Sequence, residues 1–170
     1  KALLLPLINS HSNVPQVWYL LGLANSNEGN YSAAEDALRK AMSLNPSFIP
    51  ARRLLLTDQI LSHQTDSSPA LATQILHDDP YFMPAWSITV ESMRKLGQSD
   101  RAKALLTNLS EDPALPAEDK PDLIRLLVDF DAPAPAQKLL AALPPNDVET
   151  IHLRASIADA TGDVAGARTL

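Results

Sequence analysis

Apolar residues recur at helical spacing in short blocks along the chain. In residues 15–28, Val17, Trp18, Leu20, Leu21 and Ala24 predict one helix. In residues 31–44, Ala33, Ala34, Ala37, Leu38, Ala41 and Leu44 predict a second. Glu28–Gly29–Asn30 breaks the periodicity between them, and Gly29 suits a left-handed cap. Asn45–Pro46 ends the second helix, because the residue before Pro avoids helical geometry. Small residues at Gly22, Ala34 and Ala41 let the two helices approach closely, and Trp18 reads as a packing wedge.

The same punctuation returns at one fixed interval: Pro46 to Pro80, Pro50 to Pro84, and Ala102 to Ala136 are equal steps. With Pro15, Ile49, Met83, Ala117 and Ile151 as first positions, the eighth reads Gly22, Leu56, Val90, Ile124 and Ala158. The expected blocks are residues 15–48, 49–82, 83–116 and 117–150, with 151–170 an incomplete fifth. Residues 1–14 read as the trailing helix of an earlier block. Pro50 and Pro84 fall in first turns, where a missing N–H costs nothing. Ser68–Pro69 reads as an N-cap followed by the first helical residue. Asp131–Pro135 reads as a stiff linker in place of a Gly turn, after a helix that starts late, near Pro121. Gly162 and Ala167 arrive three residues early, which predicts a fifth first helix shortened by about a turn.

Residues 15–48 resemble a tetratricopeptide repeat: Trp18, Leu21, Gly22, Ala34, Leu38, Ala41 and Pro46 occupy that family's pattern positions. Asn25 departs from it, standing where the family usually has Tyr. Trp86 and Ala102 carry the pattern into the third block, and the others rest on the period. The resemblance implies an all-α fold, an α-α superhelix: a right-handed solenoid of about five helix pairs.

Composition then removes classes of function. The chain has 170 residues, 45% hydrophobic and 20% charged, enough for a core and unlike a disordered segment. Five Gly against 14 Pro suits helix pairs better than tight-turned sheets. With 14 Lys+Arg against 20 Asp+Glu there is no basic field, and no nucleic-acid partner is expected. No apolar run reaches membrane-spanning length, so no direct membrane insertion is expected. Without cysteine there is no disulfide, thiolate metal site or cysteine nucleophile. His11, His63, His77 and His152 make no two-His metal spacing, and His77–Asp78–Asp79 reads as a solvated helix end. No phosphate-binding glycine loop or nucleophile elbow occurs. Neither a catalytic residue, a metal nor a cofactor is expected, and the chain reads as no enzyme.

What the resemblance implies instead is a groove lined by the first helix of each pair. The family's groove slots carry over to Gln16, Tyr19, Leu23, Ser26 and Asn27, then Pro50, Arg53, Thr57, Ile60 and Leu61. They continue with Pro84, Ser87, Glu91, Arg94 and Lys95, then Arg125, Val128 and Asp129, then His152 and Asp159. The carboxylate clamp of some relatives is absent, because its slots hold Tyr19, Leu23, Leu54, Pro84 and Ile88. Arg53 and Arg94 could pair with a partner's acidic groups or within the chain.

The resulting expectation is a non-catalytic scaffold binding a protein or peptide segment. The alternative is an assembly or substrate-presenting arm of a larger enzyme or bacterial machine for exopolysaccharide, pilus or cytochrome maturation. End helices such as Ala2–Leu5 could support a homo-oligomer. Divergent repeats with Ala- and Pro-rich loops point to a bacterial source. The compartment stays open between periplasm and cytoplasm.

Overall fold

Prolines sit in the first turn of many helices of this chain, and left-handed residues stop many of them. The computed structural model describes residue 6 and residues 11–64 and 68–163. Of the trailing helix expected over 1–14 and the incomplete fifth block over 151–170, residues 1–5, 7–10 and 164–170, and with them the Ala2–Leu5 surface, lie outside the described residues. Two compact units divide the chain at Pro80. The first holds α1 (Pro15–Asn27), α2 (Tyr31–Leu44), α3 (Ile49–Leu61) and α4 (Ser68–Asp78). The second holds α5 (Met83–Lys95), α6 (Ser99–Ser110), α7 (Lys120–Asp129), α8 (Pro133–Leu140) and α9 (Val148–Thr161). A 3-10 turn, Ala117–Asp119, leads into α7. The described residues contain helices and turns and no strand, so the fold is an all-α helical repeat.

In the first unit, α1 and α2 approach closely at Gly22. A Cβ there would lie 2.7 Å from Leu38 Cγ and Cδ2. Leu38, Ala34, Ala37 and Ala41 of α2 are buried beneath it, with Leu55, Leu56 and Ile75 continuing the core. Trp18 is half-buried, and its Nε1–H donates to the Ser12 carbonyl at 2.8 Å. Arg52, in the same slot of the next block, donates likewise to the carbonyl of Pro46, also six residues back. In these two blocks the slot ties the first helix to the turn before it. Asn25 is buried too, and its Nδ2 donates to the Ala33 carbonyl at 3.4 Å. An amide here holds the start of α2, where the family usually has Tyr.

The second unit has one continuous core. Val90 of α5, Leu106 of α6, Ile124 and Leu127 of α7, Leu139 of α8 and Leu153 of α9 meet in it. Tyr81 closes one end, its hydroxyl donating to Asp112 Oδ2 at 2.9 Å.

Five helices end in the same way. Gly29, His63, Gly97, Asp131 and Gly162 all have positive φ, between 54° and 74°. At each, that residue's N–H bonds the carbonyl three back, and the next N–H bonds the carbonyl five back, over 2.8–3.2 Å. This pair of hydrogen bonds satisfies the last carbonyls of each first helix. The first four stops are spaced by one full period each, and the fifth arrives three residues early. The three missing residues are lost before α9, not within it: α8 has 8 residues and α9 has 14. The expected shortening of the fifth first helix is therefore corrected to an earlier start. Asp147 sets that start, accepting from the N–H groups of Glu149 and Thr150 at 3.1 and 3.4 Å.

Two further expectations change. Asp131–Pro135 is not a stiff linker: Asp131 is the left-handed stop, and Pro133 and Pro135 already lie in the first turn of α8. There their missing N–H groups would have been unpaired anyway. Ser68 is not an N-cap but helical, and its buried hydroxyl donates to Gln59 Oε1 at 2.8 Å.

His63 carries a side chain in a conformation that favours glycine. His63→Gly is expected to stabilise the protein by about 0.5–1 kcal/mol, and Gly97→Ala to destabilise it by about 1 kcal/mol. Urea midpoints measure both, and a destabilised His63→Gly variant would show that the histidine side chain itself holds the turn.

Candidate functional site

Slots three and four residues apart share one face of a helix. The expected groove residues therefore lie on one face of each first helix, and their partners decide what that face offers. On α1, Gln16 and Asn27 are exposed and Leu23 is half-buried. Tyr19 is half-buried and meets the Phe48 ring edge-on, centroids 5.6 Å apart. Ser26 is turned to the next helix pair, its Oγ donating to Asp58 Oδ1 at 2.6 Å. On α3, Pro50 and Arg53 are exposed, Ile60 is half-buried, and Leu61 is 55% exposed. Thr57 Oγ1 donates to the Arg53 carbonyl at 3.0 Å. The face in this unit is apolar and amide-bearing, with one cation.

That cation is paired within the unit: Arg53 Nη1 lies 3.2 Å from Asp79 Oδ2. Its neighbour Arg52 takes Asp78. Both carboxylates of His77–Asp78–Asp79 are thus engaged by arginine.

In the second unit, Ser87 of α5 is half-buried, its hydroxyl donating to the Pro84 carbonyl at 2.8 Å. Arg94 pairs with Glu91 three residues before it, and its guanidinium carbon lies 4.8 Å from the Phe130 ring centroid. The ring adds a cation–π attraction that helps hold the guanidinium in place. Lys95 and Asp129 are exposed, and Val128 is half-buried. Arg125 bridges Asp122 and Glu149, the latter at 2.6 Å. The Glu149 hydrogen bond raises the Arg125 pKa further. These pairs are about half exposed, so each contributes little to stability; their effect is to neutralise the face locally.

The three-residue slip re-letters α9. Glu149, not His152, takes the slot that Gln16 has on α1, while His152 and Asp159 move to those of Tyr19 and Ser26. Both are exposed. Sequence reasoning passed over Glu149. The early Gly162 could have found it, had the lost residues been assigned to the preceding hairpin.

Among the described residues, no three His, Cys, Asp or Glu side chains gather where they could hold a metal ion. No helix among them is long and apolar enough to cross a membrane.

Residues 15–48 match the family model of the tetratricopeptide repeat. No curated protein matches the chain in sequence. Among solved structures, the chain is similar to a tetratricopeptide repeat protein from Parabacteroides merdae, with a TM-score of 0.67 and 14% identity. That likeness covers 91% of this chain and 63% of the other, so this chain spans under two thirds of its relative's length. It is also similar to Pseudomonas aeruginosa pilF, with a TM-score of 0.64, 18% identity, and coverage of 94% and 74%. At these identities the likeness is one of fold.

Proposed function

From a chain that carries a tetratricopeptide repeat over residues 15–48 and shares the all-α helical-repeat fold of such proteins, we infer a non-catalytic scaffold that binds a partner's segment along its first-helix face. Tetratricopeptide repeats mediate protein–protein interaction in general. The face assigned to the partner is that of the first helices. What supports it is the recurrence of one slot pattern on successive first helices. In the first unit, Gln16, Tyr19, Leu23, Asn27, Ile60 and Leu61 offer amides and apolar surface. An extended segment with alternating apolar and hydrogen-bonding groups fits that chemistry. Arg53 and Arg94 have acidic neighbours in their own units, so a partner's carboxylate would have to displace an existing pair.

Photo-crosslinkers at Gln16, Asn27 and Leu61, against controls at Asp36 and Lys40 on α2, test the face in cells of the source organism. The expected result is one partner band from the first three positions and none from α2. Crosslinks from α2 alone would overturn the assignment.

A further inference from the structure

Asp58 lies in the third turn of α3 with 2% of its surface exposed. Ser26 of α1 donates to its Oδ1 at 2.6 Å. Its other oxygen, Oδ2, is buried without a hydrogen-bond partner among the described residues. The recess beside it is lined by Tyr31 and Glu35 of α2 and by Leu55, Gln59, Ser62 and Gln64. That recess has no room for a water molecule.

The charges around it bring no relief. Glu35 and Tyr31 are the titratable groups lining the recess from α2, and Glu35 is held by Arg39 at 2.6 Å. From α1 comes the uncharged Ser26. From α4 comes Ser68, also uncharged and bonded to Gln59. Among the described residues, no lysine, arginine or histidine lines the recess. A buried carboxylate with one oxygen unserved and no cation is costly to ionise, whereas the protonated form is tolerated.

We propose that Asp58 is a proton-operated latch between the first and second helix pairs: protonated, it lets α1, α2 and α3 close together, and ionised, it loosens their seam. Burial moves the carboxyl up from its ordinary value of 3.8, the Ser26 bond opposing in part. The native state then holds the proton more tightly than the unfolded chain. This contribution is therefore fully present below pH 3.8. It is lost as pH rises from there through the raised native value. Ser26 also occupies a first-helix slot, so the same proton would adjust the spacing of α1 and α3 on the candidate binding face.

Carbon-13 NMR of the Asp58 carboxyl in the whole chain, titrated from about pH 3 to about pH 8, tests the latch directly. The expected midpoint lies above 3.8. Hydrogen exchange in residues 15–61, corrected for intrinsic rates, should lose about tenfold in protection for each pH unit of that shift. Asp58→Asn should remove this component, so the variant's advantage over the native chain grows with pH and then levels. A midpoint at or below 3.8, or a difference independent of pH, overturns the proposal. Should Asp58→Asn fail to fold, the native-chain titration decides alone.

Discussion

Gly22→Val is expected to destabilise the first helix pair by about 3 kcal/mol. Valine is the residue that the third block holds in the same slot, at Val90. There it is buried in the core of the second unit. In the first pair even a Cβ at Gly22 would stand 2.7 Å from two atoms of Leu38 and 3.4 Å from the Ala34 carbonyl. Leu38 is fully buried and has no open space to retreat into. The backbones must then part, and the neighbouring Ala34, Ala37 and Ala41 are too short to fill the gap. Gly22→Ala should cost less, because alanine recovers about 1 kcal/mol of helix propensity. Hydrogen exchange of residues 15–44 measures the effect, and unchanged protection in Gly22→Val would show that this contact is slack. Leu38→Ala alone should cost about 2–5 kcal/mol. Combined with Gly22→Val it should cost less than the sum by at least about 1 kcal/mol, since valine occupies the vacated volume. Strict additivity would contradict the packing described.

Leu106→Ala is expected to cost about 2–5 kcal/mol in the second unit. Leu106 stands in the slot that Leu38 fills two blocks earlier. It is fully buried in the cluster that joins α5, α6, α7, α8 and α9. Small residues flank Leu38 along its helix, whereas the cluster around Leu106 contains larger side chains such as Val90 and Ile124, which are also fully buried. Those side chains are held from several helices at once, so the cavity cannot close by one local shift. The urea midpoint should fall in proportion, with little change in slope. A loss under about 1 kcal/mol would mean that the core repacks around the gap.

The hairpins were legible because their causes are local. Apolar spacing, Pro15, Pro50 and Pro84 at first turns, and Gly29 and Gly97 at stops all act within a few residues. His63 and Asp131 perform the same left-handed stop without glycine's signature. Their backbone is set by the paired capping bonds and by the start of the following helix, which side-chain type hardly reports. The candidate face was legible as positions on a helix but not as chemistry. Arg53 and Arg94 each had several acidic residues within reach along the chain. Which carboxylate they meet depends on how α4 lies on α3, and on Glu91 with Phe130 beside Arg94.

The sequence by itself determined the repeat period, the all-α class and the absence of cysteine chemistry. It did so because periodicity and proline restrict the backbone wherever the chain goes. Only the tertiary structure decided that Asp58, an ordinary polar residue in a helix by sequence, is buried against Ser26 of the preceding helix pair. It alone decided that the three lost residues shorten the fourth hairpin rather than α9. Burial and register depend on which helices meet, and no single segment carries that information.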